Sequence, residues 1–158
     1  MQFSARKRKI IFWCALALSI LWLLFIFSNS LDTGVESDQK SSTVTKIIND
    51  VLHVFGIKGE IPHKFVRKLA HFGEFAILAV FVSVTLHFSP KKLSILFSPA
   101  ICFVCASADE ILQNFSDGRG PRFTDVLIDT SGAICGTLAI WVLYFLIVKL
   151  IKLKHRAK

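Results

Sequence analysis

Charge is scarce in this chain: Asp, Glu, Lys and Arg make up 19% of its 158 residues, against roughly 25% in ordinary soluble proteins. With 53% hydrophobic residues and a mean hydropathy of +0.58, that shortage excludes both a soluble domain and a disordered chain. Tyrosine and tryptophan are few, at 1 and 3, while phenylalanine reaches 15, a mixture suited to hydrocarbon rather than to an aqueous surface. Cysteine is sparse as well. Cys14, Cys102, Cys105 and Cys135 all fall inside apolar runs, where a small buried side chain is the expected role and a disulfide-stapled secreted scaffold is excluded. Internal repeats, low-complexity tracts and soluble cofactor motifs are missing too, so no cofactor is expected.

What the chain does have is four uncharged runs, Ile10–Leu31, Phe75–Pro90, Leu93–Ala108 and Thr130–Val148. Each approaches the roughly 20 residues that cross a bilayer as a helix. The fold class read from them is an all-α polytopic membrane protein of one domain over 1–158, with spans at about 10–28, 66–88, 93–110 and 125–148. The net charge of +8 would suggest nucleic acid in a soluble protein. Its placement says otherwise, because Arg6, Lys7, Arg8 and Lys9 precede the first run and Lys149, Lys152, Lys154, Arg156 and Lys158 follow the last. Those are cytoplasmic flanks under the positive-inside rule, so no nucleic-acid partner is expected and membrane lipids are. Ile10–Phe27 rises about 27 Å as a helix and exceeds the roughly 7–15 residues of a signal-peptide core. It reads as a retained first span.

Four spans with a basic N-terminal flank inside put both termini and the Lys91-Lys92 link in the cytoplasm, and two loops outside. The first outer loop offsets its lysines with Asp32, Glu36, Asp38, Asp50 and Glu60. Within it, Val44, Ile47, Ile48, Val51, Leu52 and Phe55 form one apolar helical stripe, and Ser41, Ser42, Lys46, Asn49, Asp50 and His53 cover the other face. That pattern predicts an interfacial amphipathic helix over about 38–55, started by Ser37 or Asp38 and ended at Gly56. It either caps the bundle or lies in lipid as a gate over a site. Pro62 suits the first turn of the second span. Gly132 to Gly136 is a small-xxx-small motif for close helix packing.

The same topology sends every unusual polar residue to one side of the membrane. His71 and Glu74 open the second span, Asp109, Glu110 and Gln113 close the third, and Asp125 and Asp129 open the fourth. Ionisable groups near hydrocarbon are expensive, which makes such a cluster a functional site by default. The competing reading is structural: Arg67, Arg119 and Arg122 paired with the carboxylates to fix helix register. Four chemistries stay open. The three arginines, with Gln113, Asp125 and Asp129, can bind a phosphate or carboxylate headgroup. His71, Glu74, Asp109 and Glu110 can act as acid and base. The His and carboxylates can hold a divalent metal, although the spacing is not HExxH and no cysteine ligand lies outside the apolar runs, so no metal is assigned. Carboxylates can also relay protons, but these stop near one face.

These residues resemble the VanZ-like membrane proteins of bacteria. The resemblance rests on Phe27-Ser28-Asn29-Ser30, on Arg67-Lys68-Leu69-Ala70-His71-Phe72-Gly73-Glu74-Phe75 and on Ser107-Ala108-Asp109-Glu110-Ile111-Leu112-Gln113. It continues through Gly118-Arg119, Phe123-Thr124-Asp125, Asp129-Thr130-Ser131-Gly132 and Gly136, covering about residues 22 to 140. It departs at Asn29-Ser30, where a Gln is expected soon after the Ser. The resemblance implies lowered susceptibility to teicoplanin-type glycopeptide antibiotics. The expected place of action is the outer leaflet of the cytoplasmic membrane, on an anionic lipid headgroup, a lipid-linked wall precursor or the lipoglycopeptide itself. The alternative is a membrane-embedded acid–base hydrolase or transferase acting on such a lipid.

Overall fold

The computed structural model describes residues 4–91, 93–118, 120 and 122–156. Five helices carry the fold: α1 (Ala5–Ser30), α2 (Gly34–Val54), α3 (His63–Phe88), α4 (Ser98–Gln113) and α5 (Phe123–Arg156), with a 3-10 turn at Ile95–Phe97 leading into α4. There is no strand among the described residues. Among the described residues, four helical segments are long and apolar enough to cross a membrane: Ala5–Ser30, His63–Phe88, Ile95–Gln113 and Phe123–Lys154. The chain is therefore an all-α polytopic membrane protein.

Most apolar side chains of α1 and α5 point away from the protein, Trp13, Leu21, Leu24, Trp141, Leu143 and Phe145 among them. In water so much exposed apolar surface would drive association; in a bilayer it meets lipid. α3 is the central helix and packs against each of the other four. Its Phe75, Leu78, Ala79, Val82 and Leu86 form the core with Ile26, Cys102, Ala106, Val126 and Ala133. With 34 residues, α5 is about 51 Å long against a hydrocarbon thickness of about 30 Å, so its basic C-terminal turns project beyond the bilayer.

Polar contacts fix the helix directions. Trp22 Nε1 donates to the Glu74 carbonyl at 2.9 Å, the Ser19 and Thr85 hydroxyls meet at 3.4 Å, and Arg8 Nη2 donates to the His87 carbonyl at 3.3 Å. α1 and α3 are thus antiparallel. Gly132 lies against Phe72 and Gly136 against Ala76, so α3 and α5 run parallel with almost nothing between their backbones, as the small-xxx-small motif predicts. Ser98 Oγ, buried at the start of α4, donates to the Ala79 carbonyl at 3.0 Å. The result is an alternating bundle. The C-terminal ends of α1 and α4 meet the N-terminal ends of α3 and α5.

α2 starts earlier than its apolar stripe alone predicts, and its cap is Thr33 rather than Ser37 or Asp38. Glu36 N donates to Thr33 Oγ1 at 3.3 Å, while Thr33 N donates to Glu36 Oε2 at 2.9 Å, which completes a capping box. The hydrogen bond from the Thr33 backbone, followed by that from its hydroxyl, holds the Glu36 carboxyl below the usual glutamate range. At the other end Gly56 adopts φ 79° and Ile57 N donates to the Leu52 carbonyl at 3.0 Å, the αL stop foreseen at Gly56. The helix turns its hydroxyl face inward, with Ser37, Ser41 and Thr45 buried, and leaves Val44, Ile47, Val51 and Phe55 exposed. An apolar stripe pointing away from the protein is the form that an interfacial helix takes.

Candidate functional site

At the end of the bundle where those four termini meet, helix geometry gathers the polar residues that the sequence disperses. The floor comes from three helices. His71 lies two turns into α3, Asp109 one turn before the end of α4, and Asp129 in the second turn of α5; one ligand atom from each falls within 4.8 Å of the others. Asp109 is 0% exposed and Asp129 1%, so both carboxylates sit inside the protein rather than on its rim. Ser30 Oγ donates to Asp109 Oδ2 at 2.8 Å and Gln113 Nε2 donates to the same oxygen at 3.1 Å. Asp129 differs: neither of its carboxylate oxygens has a hydrogen-bond partner among the described residues.

Around this floor the remaining candidates divide into those that reach it and those that line the way in. Glu74 Oε2 lies 3.8 Å from His71 Nδ1, and Asn29 Nδ2 donates to Glu74 Oε1 at 3.3 Å. Glu110 is buried and accepts the Arg122 backbone N–H at Oε2, 2.6 Å away. Above lies a polar cleft of about 220 Å³ whose walls include Lys64, Arg67, Lys68, Arg122 and Asp125 and whose floor includes His71 and Asp129. Lys68 Nζ stands 3.6 Å from Asp125 Oδ1. A second cavity, of about 180 Å³, opens under α2 between Ser37, Ser41, Val44 and Val66; it shares Arg67 and His71 with the first and adds Glu74. Arg119 lies outside the described residues.

The expected arginine–carboxylate pairing takes another form. Arg67 Nη1 bonds Asp38 Oδ1 at 2.7 Å and so ties α3 to α2 rather than to the buried carboxylates. Arg122 gives Glu110 its backbone N–H. With these cations held at the wall, the cleft carries positive groups at its mouth and carboxylates at its floor. An anionic headgroup fits the mouth by charge. The floor offers an imidazole beside carboxylates, the donor set of acid–base chemistry or of a cation.

Two residues of the site escaped sequence reasoning. Asn29 and Ser30, where the chain departs from the expected motif, are the residues that bring α1 into the network, through Glu74 and Asp109. Ser30 is fully buried, and its carbonyl accepts from Ser116 Oγ at 3.1 Å. Next to it, Gly34 N donates to the Asp117 carbonyl at 2.9 Å, so the segment after α4 is latched to the start of α2. A Ser at the end of an apolar run has no hydropathy signal; its polar position one turn beyond Ile26 was the only clue. Ser30→Ala should remove this bond to Asp109 Oδ2 and cost about 1–3 kcal/mol. A melting temperature in detergent equal to that of the parent chain would count against the bond.

A family model described as VanZ/LLP1 matches residues 13–146. No curated protein and no solved structure matches the chain.

Proposed function

The chain belongs to the VanZ/LLP1 family, a family tied by the resemblance above to glycopeptide resistance, and from that premise we propose that it lowers susceptibility to teicoplanin-type lipoglycopeptides at the outer leaflet of a bacterial cytoplasmic membrane. In this reading both termini are cytoplasmic and the cleft opens outward, where it engages an amphiphile: an anionic lipid headgroup, a lipid-linked wall precursor or the drug. The observation that carries it is the cleft itself, with basic residues at its mouth and half-buried His71 above buried Asp109 and Asp129, beside the exposed apolar stripe of α2. Headgroup and acyl chain each find a matching surface. The physical motive is that an acylated antibiotic concentrates at the membrane, each buried CH₂ contributing about 0.8 kcal/mol. A membrane protein can then interfere without altering the peptide target.

A second reading has its own support in the closeness of Glu74 to His71, 3.8 Å between Oε2 and Nδ1. It makes the protein an acid–base hydrolase or transferase that modifies the amphiphile. One experiment with two arms tests both. A single cysteine near Glu60, in a background lacking the four native ones, should label from outside intact cells; labelling near Lys91 instead would turn the cleft inward and end the proposal. Expression should then protect against an acylated glycopeptide much more than against a non-acylated one. Mass spectrometry of envelope lipids and wall precursors separates the readings, because changed chemistry means an enzyme and protection with unchanged chemistry means binding or exclusion. Equal protection against both drugs, or none, removes the antibiotic role.

A further inference from the structure

We infer that His71, Asp109 and Asp129 form a divalent metal site at the floor of the cleft, one that takes Zn²⁺ or a similar transition ion such as Mn²⁺. No such site follows from the sequence, whose spacing matches no metal motif; it arises because three helices bring one donor each to a common point. The ligand atoms lie within 4.8 Å of one another. Tetrahedral ligands at about 2.1 Å from zinc stand about 3.4 Å apart, so small side-chain rotations close the site.

Asp129 supplies the independent reason to expect a ligand there. It is 1% exposed, and both its carboxylate oxygens are buried without a hydrogen-bond partner among the described residues. Of the lysines and arginines that line the cleft, Lys68 pairs with Asp125 and Arg67 with Asp38, and among the described residues none forms an ion pair with Asp129. A carboxylate buried next to another carboxylate must be neutralised by a proton or by a cation. One proton shared between the two carboxyls would still leave one negative charge buried, whereas a divalent cation neutralises both and uses Asp109, Asp129 and the His71 imidazole together.

The surroundings match what a bound ion needs. Ser30 and Gln113 hold Asp109 through Oδ2, and the Glu74 carboxylate stands behind the His71 ring, the kind of outer contact that orients metal ligands. One nitrogen and two oxygens without a thiolate favour Zn²⁺ or Mn²⁺ over copper(I). Three protein ligands leave a coordination position open, and His71 and Asp129 both line the cleft, so that position faces it. Resting on the reading of the cleft above, an anionic oxygen of a phosphoryl headgroup would complete the sphere, with Arg122 and Lys68 at its other side.

The test uses the full chain in detergent, stripped with a chelator and titrated with Zn²⁺ alone and with Mn²⁺ alone. One equivalent should bind, raise the melting temperature by mass action, and lose at least tenfold in affinity in Asp129→Asn and in His71→Ala. His53→Ala, on the exposed face of α2, should bind as the parent does. Because Asp129→Asn removes a buried charge at constant shape, its metal-free form should melt no lower than the metal-free parent. On the parent chain alone, Co²⁺ should give a visible spectrum of nitrogen and oxygen ligands without a thiolate band. Absence of stoichiometric binding, equal binding by both variants, or a thiolate band would overturn the site. Drug protection by a parent chain that holds no metal would likewise overturn it while leaving the antibiotic reading standing. A bound metal without protection would do the opposite.

Discussion

Gly136→Leu is expected to abolish the folded protein, and Gly136→Ala to destabilise it sharply. A Cβ built on Gly136 runs into the Ala76 carbonyl oxygen, with the carbonyl carbon 2.8 Å away; on Gly132 it meets the Phe72 carbonyl in the same way, the carbon at 2.9 Å. Both obstacles are backbone. They cannot rotate aside as a side chain would, so α3 and α5 must separate along the seam that holds Phe75, Val126 and Ala133. In a helix free of such contacts Gly→Ala would stabilise by about 1 kcal/mol through propensity. Overpacking costs about 1–3 kcal/mol where side chains can yield, and more against backbone, so destabilisation wins. Size-exclusion profile and melting temperature in detergent read the result, with Ile134→Val on the exposed face as the neutral comparison. A Gly136→Ala protein as stable as the parent would mean that the helices are farther apart than described.

His71→Gln and Glu74→Gln should separate chemistry from architecture. Both side chains are about one-fifth exposed, at 22% and 18%, and glutamine keeps the size of Glu74 and an oxygen for Asn29 to donate to, so the fold should survive either change. If the pair works as acid and base, turnover of the envelope substrate should fall about 100- to 10,000-fold with little change in melting temperature. A structural role predicts the reverse: lower expression and stability, with protection tracking the amount of folded protein. The Lys68–Asp125 pair serves as the structural reference, since reversing it with Lys68→Asp and Asp125→Lys should restore much of what either change alone loses. Stability losses alone at His71 and Glu74 would remove the catalytic reading.

The four spans, their alternation and the collection of His71, Glu74, Asp109, Glu110, Asp125 and Asp129 at one end were all legible in the chain. Hydropathy over a span-length window is a strong signal, and alternation of spans assigns ends without knowledge of packing. Gly132 and Gly136 announced a close helix contact for a similar reason: small residues four apart make one smooth face. The Thr33 and Glu36 capping box is equally present, as Thr-x-x-Glu, although the apolar stripe that marks the helix starts only at Val44.

Other features required the fold. Periodicity says which residues share a face of one helix but not which neighbour that face meets. It therefore listed the stripe of α2 without telling that Ser37, Ser41 and Thr45 on the opposite side would face the protein. It named Arg67 as a partner for buried carboxylates, when the packing of α2 on α3 put Asp38 closer. It could not recruit Asn29 and Ser30, because a short polar side chain at the end of an apolar run acquires meaning only when α4 brings Asp109 beside it. The meeting of His71, Asp109 and Asp129 is the clearest case. Three residues far apart in sequence become ligands of one point only when three helix axes, rotations and depths are set together, and those are decided by the glycine seam between α3 and α5 and by the Ser98 and Ser30 bonds that lock α4 between them.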